Sequence, residues 1–223
     1  MADGHARASE GFANGSQQAR SPMRLALPIP IKSISCGRGC SVALDQQGQV
    51  WCFRTWGRPF VFKPAAFDPS NLDNVVVQVT CGWTIMAALN ALGNVYVWSV
   101  FDGSVQDIFH LRNDEFDAQQ RNQTRGVAIN GIIKCHTWTM IGVEPLKLPE
   151  LPQLPTLTSG AVPHPQLVKI AAGDHFIVGL TNGGHVVKMN VPNVLWSNEV
   201  WEYVRHQLAE DPNTNTPLAT FIL

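Results

Sequence analysis

A single pattern, repeated three times along the chain, limits what this sequence can fold into. Each copy has an apolar stretch ending at a glycine, a second apolar stretch, and another glycine eleven residues after the first. The glycine pairs are Gly37 and Gly48, Gly82 and Gly93, and Gly173 and Gly184. A leucine lies seven residues after the first glycine in every copy, at Leu44, Leu89 and Leu180. Such fixed spacing predicts a structural unit that recurs along the chain.

Each copy predicts three short antiparallel strands. The first strand ends at the first glycine, where the chain either turns with a positive φ or lets another backbone approach closely. The second strand, such as residues 41–44, leads into a hairpin turn at the second glycine, and a third strand such as residues 95–98 follows. Small residues beside the first strand predict tight packing near an axis on which the units converge.

Composition and charge favour a β-rich chain and exclude some partners. Hydrophobic residues make up 45% and charged residues only 15% of the 223 residues, against roughly 25% charged residues in average domains. The formal net charge of −1 provides no basic excess, so we expect no nucleic-acid partner. No apolar run is long enough for a transmembrane helix, so we expect no membrane partner. Five cysteines, an odd count, and a polar N-terminus favour a reducing location, cytoplasmic or nuclear.

The pattern also divides the chain. Residues 1–24 are rich in small and polar residues and predict a disordered tail. The repeat domain is expected over residues 25–192, with repeats near 31–54, 76–99 and 167–190 and a degenerate segment with a proline-rich connector over 100–166. Residues 193–223 are expected to hold a C-terminal helix and tail.

Two segments outside the repeats carry their own predictions. Prolines are dense from Pro145 to Pro165, and proline is excluded from the middle of a sheet, which predicts an extended connector between units. Near the C-terminus, Val200, Trp201, Val204 and Leu208 are spaced as on one face of a helix. That spacing predicts about three helical turns over residues 198–209.

The repeat windows 34–53, 79–98 and 170–189 resemble the repeats of the regulator-of-chromosome-condensation family. The window 79–98 follows the family pattern furthest, because it retains the terminal Trp98. The resemblance implies an all-β fold, a partial or irregular β-propeller of about three to four blades. The degenerate repeats look most like those of fungal F-box proteins, although no F-box is recognisable in this chain.

The resemblance implies a non-catalytic protein–protein interaction module. In the F-box relatives, such a propeller binds substrates for an SCF-type ubiquitin ligase, so the expected partner is a ubiquitination substrate. The founding activity of the family implies an alternative, a guanine-nucleotide exchange factor that acts on a small GTPase. A third alternative is a truncated scaffold product. Closed propellers have four to eight blades, so we expect either a fragment or an open arc.

No motif in the sequence predicts catalysis. A P-loop, a dinucleotide-binding fingerprint, a His-Glu-x-x-His helix and a Gly-x-Ser-x-Gly elbow are all absent. We therefore expect no enzyme, no cofactor and no metal. Cys36 and Cys40 could suggest a metal or redox pair, but a zinc site needs two more ligands at suitable spacing. Both align with small or apolar residues in the other repeats, so we expect them to fill buried repeat positions.

Four residues in loops are candidates for contact with a partner. Trp56 and Trp83 fall in predicted loops, and tryptophan is enriched at the energetic centres of interfaces. Asp174 and His175 begin the second strand of the last repeat and could form a hydrogen-bonded pair. The alternative for all four is local packing or satisfaction of a turn.

Overall fold

The computed structural model describes residues 24–54, 57–68, 70–120, 132–154, 164–191 and 200–203. The strands are β1 Arg24–Ala26, β2 Ile31–Cys36, β3 Ser41–Asp45, β4 Val50–Phe53, β5 Phe60–Phe62, β6 Val76–Cys81, β7 Met86–Asn90, β8 Val95–Trp98, β9 Ile132–Lys134, β10 Trp138–Met140, β11 Leu146–Lys147, β12 Leu167–Ala172, β13 Phe176–Thr181, β14 Val186–Asn190 and β15 Glu202–Tyr203. One α-helix, α1 Gly103–Gln120, and two 3-10 turns, Ala65–Phe67 and Leu72–Asn74, complete the elements. Within these residues, no helix is long and apolar enough to cross a membrane.

Three sheets, one per repeat, form the body of the molecule. Blade one has the strand order β2-β3-β4-β5-β10, blade two has β6-β7-β8-β11, and blade three has β12-β13-β14-β15. The first strand of each repeat lies innermost, and neighbouring inner strands contact one another. The arrangement is a partial β-propeller with three blades in the described residues, within the three to four that the resemblance implies.

The blades converge through the first glycine of each repeat. A Cβ added to Gly37 would lie 1.7 Å from the carbonyl oxygen of Gly82, and one added to Gly82 would lie 1.9 Å from that of Gly173. Neither glycine has a positive φ. Of the two explanations that the sequence leaves open, close backbone approach is therefore the one observed.

The second glycine of each repeat has the other role. Gly48, Gly93 and Gly184 adopt φ values of 80°, 82° and 82° at the turn between the second and third strands. A buried polar side chain three residues earlier organises each turn. Asp45 accepts hydrogen bonds from the backbone N–H groups of Gln47 and Gln49 and from the indole of Trp51. Asn90 and Thr181 accept backbone N–H bonds at the same place in the other two repeats.

Apolar side chains from facing sheets fill the two spaces between the blades. Because alternate residues of a strand point to opposite faces, Met86 and Trp98 of blade two face blade one, whereas Leu89 and Val97 face blade three. Gly179 belongs to this packing, since a Cβ there would lie 2.4 Å from the Leu167 side chain. The small residue at this repeat position makes room for an apolar neighbour.

The segment predicted as degenerate contains the helix, which the sequence analysis missed. Asp102 caps α1, because its carboxylate accepts hydrogen bonds from the backbone and hydroxyl of Ser104. Buried Val105 and Phe109 attach the first two turns to blade one. The remainder carries few apolar residues, so the chain shows no extended apolar periodicity. Strand β10 then returns to add a parallel fifth strand to blade one, next to β5.

Two further predictions are wrong in the described residues. Leu146 and Lys147 lie within the predicted proline-rich connector, yet they form β11 and pair with β8. Pro145 is tolerated because β11 is an edge strand. At the C-terminus, Glu202 and Tyr203 form β15 against β14 rather than a helix, since β14 offers an open edge there. The rest of the predicted helix, and the predicted N-terminal tail up to residue 23, lie outside the described residues.

The outer faces of the first and third blades differ from the faces between blades. Ile34 of blade one is 61% exposed, whereas Val79 at the same position of blade two is 5% exposed. Cys36 is exposed, so the prediction that it fills a buried position is wrong. It faces away from blade two, where no sheet packs against it in the described part of the chain. Leu180 is likewise exposed, although Leu44 and Leu89 are buried.

Candidate binding face

The loops that follow the inner strands lie together at one end of the arc. They comprise residues 37–40, 82–85 and 173–175, and we call this end, with the adjacent ends of β8 and β14, the loop face. Each loop is closed by the same hydrogen bond, in which the glycine N–H donates to the carbonyl three residues later. Equivalent positions of successive blades therefore lie side by side, which places Arg38, Trp83 and Asp174 in one row.

Trp83 is the most prominent apolar group of the row. Its side chain is 49% exposed, and its backbone N–H donates to the carbonyl of Gly173 at 3.4 Å. The guanidinium of Arg38 lies 4.3 Å from the centroid of the Trp83 ring, within range of a cation–π interaction. Trp83 is thus attached to both neighbouring blades, to blade one through its ring and to blade three through its backbone, while part of the ring remains open to solvent.

Asp174 and His175 contact each other, as the sequence analysis considered. His175 Nε2 lies 3.3 Å from Asp174 Oδ1, and both side chains are nearly half exposed. His175 has a φ of 75°, the left-handed region that costs a side-chain-bearing residue free energy. Its carbonyl accepts the N–H of Val191 at 2.6 Å, which ties the loop to the end of β14. Its Nδ1 is buried without a hydrogen-bond partner among the described residues.

A cavity of about 620 Å³ opens beside this row, where blade two meets the start of α1, the segment between β10 and β11, and the end of β14. Its wall combines apolar and polar groups, and Ile85, Val97, Trp98, Phe101, Leu146 and Val191 supply most of the apolar part. Thr84 adds a buried hydroxyl with no hydrogen-bond partner in the described chain. The carboxylates of Asp102 and Glu144 also line the cavity. A partner side chain that enters would meet apolar side chains, the hydroxyl-bearing residues Thr84, Ser99 and Ser104, and two carboxylates.

The two carboxylates already have structural partners. Asp102 caps α1 as described, and Glu144 accepts hydrogen bonds from the backbone N–H groups of Ala65 and Ala66 at 2.8 and 3.4 Å. These bonds fix the two carboxylates in position at the cavity wall, where a cationic group of a partner could contact them. No group of three or more metal-binding side chains occurs among the described residues.

The structure brings three of the four predicted contact residues together, namely Trp83, Asp174 and His175. Trp56 lies outside the described residues. Sequence reasoning missed Arg38, although its place one residue after a repeat glycine matches that of Trp83 and Asp174. It also missed Thr84 and the cavity, because the cavity forms only where β11 and α1 meet blade two.

Comparison with known proteins supplies no close relative. No family model matches the sequence, and no curated protein matches it either. Among solved structures, human WBSCR16 is 17% identical with a TM-score of 0.41, covering 73% of this chain and 34% of that chain. Prp20p of Saccharomyces cerevisiae is 14% identical with a TM-score of 0.42, covering 81% and 36%. Hsv2 of Kluyveromyces lactis is 14% identical with a TM-score of 0.35, covering 81% and 48%. This chain thus spans about a third to a half of these structures.

Proposed function

We propose that this chain is a non-catalytic protein-binding module that engages its partner through the loop face. The observation that carries the proposal is Trp83, whose half-exposed ring lies against the Arg38 guanidinium and whose backbone N–H donates to the Gly173 carbonyl. An aromatic side chain that is rigid before binding loses little entropy when a partner covers it. Such residues supply a large share of the binding free energy at protein interfaces.

The cavity supports a specific chemistry for the partner. The apolar part of its wall suits an aliphatic or aromatic side chain of the partner, and its carboxylates suit a neighbouring lysine or arginine. The exposed pair of Asp174 and His175 adds one more acceptor on the same face. We therefore expect the partner to present an apolar residue next to a basic one.

The test compares two alanine variants in affinity purification from cells, followed by binding measurements with the purified partner. Trp83→Ala should weaken binding at least about tenfold, the loss typical of an interface anchor. Leu92→Ala is the matched control, because Leu92 is 45% exposed but lies in the hairpin at the opposite end of blade two. Equal retention of every partner by Trp83→Ala and the wild type would overturn the proposal.

Two finer roles follow from the sequence resemblance and are proposed as its alternatives. As the substrate-binding part of an SCF-type ubiquitin ligase receptor, the intact protein should co-purify with a ligase adaptor. As an exchange factor for a small GTPase, it should accelerate nucleotide release at micromolar concentration. A truncated scaffold would do neither, yet it would still lose its partner in the Trp83→Ala variant.

A further inference from the structure

Two buried thiols from neighbouring blades meet directly below the loop face. The Sγ atoms of Cys40 and Cys81 lie 3.3 Å apart, although the residues are separated by 41 positions in the chain. Cys40 is 5% exposed and Cys81 is 6% exposed. The two thiols are therefore both shielded from solvent and within hydrogen-bond distance of each other.

Backbone packing holds this pair in place. The N–H of Cys81 donates to the Ser35 hydroxyl of blade one at 3.0 Å. A Cβ added to Gly37 would lie only 2.8 Å from Cys81 Sγ, so the two backbone segments approach as closely as glycine permits. A disulfide has an S–S length of about 2.05 Å. Small side-chain rotations could therefore join the two sulfurs while the blades remain packed.

We propose that Cys40 and Cys81 form a reversible disulfide that locks blade one to blade two under a peroxide oxidant. A thiolate of the pair attacks one peroxide oxygen, the O–O bond breaks, and a sulfenic acid and one water result. The second sulfur then attacks the sulfenic sulfur, the S–S bond forms, and another water leaves. Two thiols thereby lose two electrons, and one hydrogen peroxide is reduced to two waters. A dithiol reductant reverses the bond by exchange.

Burial makes this reaction slow rather than forbidden. The hydrogen bond with Cys40, together with burial, raises the pKa of the Cys81 thiol, so Cys81 seldom ionises at neutral pH. Because the thiolate is the reactive form, oxidation should follow transient opening between the blades. The inference does not depend on the proposed partner binding, since disulfide formation is measured without a partner.

A consequence for the loop face follows from the position of the pair. Cys40 ends the loop that carries Arg38, and Cys81 precedes the loop that carries Trp83. The disulfide would restrict relative movement of these loops and constrain the unfolded chain as well. We therefore expect the oxidised protein to have a higher unfolding midpoint than the reduced protein.

The experiment treats the folded full-length chain with hydrogen peroxide, blocks remaining thiols with a maleimide after denaturation, and measures the intact mass. The expected product has lost two hydrogens and retains three of its five thiols for labelling. Trypsin should then release peptide 39–54 joined to peptide 55–112, since Arg58 and Lys63 precede prolines and resist cleavage. A dithiol should restore all five thiols.

Matched variants identify the sulfurs. Cys36→Ser and Cys52→Ser should retain the disulfide, because Cys36 is an exposed neighbour of the same loop and Cys52 shares the tryptic peptide of Cys40. Cys40→Ser and Cys81→Ser should abolish it. A linkage that involves Cys36 or Cys52, or a gain of oxygen without any linkage, would overturn the proposal. The mapping in the wild-type chain decides the outcome even where a variant does not fold.

Discussion

At the scale of single residues, the two glycines of each repeat should respond differently to the same added methyl group. A Cβ on Gly82 would overlap the Gly173 carbonyl of the next blade, and backbone cannot move aside as a flexible side chain can. A Cβ on Gly48 meets no atom within 4 Å, but this glycine has a φ of 80°. The first glycine is thus required by space and the second by conformation.

We therefore predict that Gly82→Ala destabilises the fold by more than about 3 kcal/mol, beyond the usual range for overpacking. Gly48→Ala should cost only about 1–2 kcal/mol, the penalty for a left-handed alanine. Urea unfolding of both variants, monitored by tryptophan fluorescence, gives the two free energies. Equal losses would mean that the blades do not converge as closely as the structure has them.

Some residue-scale features were visible in the sequence and others were not. The spacing of the glycines predicts the turns and the strands, because turn geometry depends on local chemistry. The polar residue three places before the second glycine, at Asp45, Asn90 and Thr181, was an available signal that the sequence analysis did not use. The exposure of Ile34 could not be predicted, because it depends on which blade neighbours lie beside it.

At the scale of elements, α1 depends on a short apolar attachment. Phe109 is 1% exposed and its ring centroid lies 6.4 Å from those of both Phe60 and Trp138. The Arg54 guanidinium lies 5.0 Å from the Phe109 ring centroid. Leu111, two residues later on the same helix, is 59% exposed. The apolar attachment of the helix to blade one is therefore concentrated in its first two turns, and the third turn adds a hydrogen bond from Arg58 to Asn113 Oδ1 at 2.8 Å.

Replacing Phe109 with alanine should destabilise the protein by about 3–5 kcal/mol, the cost of removing a buried aromatic ring from a core. Leu111→Ala, the control on the same helix, should change the free energy of unfolding by less than about 0.5 kcal/mol. Thermal unfolding followed by circular dichroism compares them. Similar stability of the two variants would show that α1 does not pack on blade one.

The elements that the sequence did not predict form for a common physical reason. Helix α1 and strands β11 and β15 form through contacts with residues that are distant in the chain. Glu202 and Tyr203, for example, pair with β14, and the Trp201 indole donates to the carbonyl of Pro149 at 2.9 Å. Although the apolar spacing of this segment suits a helix, Glu202 and Tyr203 form a strand because the edge of β14 is available for pairing. The repeats themselves were predictable because each is built from neighbouring strands.

At the scale of the whole molecule, the arc has two inter-blade cores and two outer faces. The outer face of blade one is covered in part by Leu25, Leu27 and Ile31, which pack against Trp51 and Phe53, while Ile34 remains exposed. On blade three, Lys188 occupies the position of Val97 and lies 5.0 Å from the Phe176 ring centroid. A charged side chain at this position suits a face that no blade covers in the described part of the chain.

Substitution by aspartate at the same repeat position of two blades should affect stability differently on an outer face and on a face between blades. Val79→Asp would bury an unpaired charge between blades and should cost about 4 kcal/mol or more. Ile34→Asp should change stability by less than about 0.5 kcal/mol, because the side chain is already largely in water. Chemical unfolding measures both effects. A severe loss in Ile34→Asp would show that this face is covered in solution.

The parallel pairing of β10 with β5 has a consequence for how the protein is made. The last strand of blade one comes from a segment that interrupts blade two, between β8 and β11. A ribosome must therefore translate Met140 and let it emerge before blade one can be finished, by which time most of blade two has also emerged. The first two blades therefore cannot be completed one after the other during synthesis. In the nascent chain, β2 to β5 lack their fifth strand until β10 has emerged.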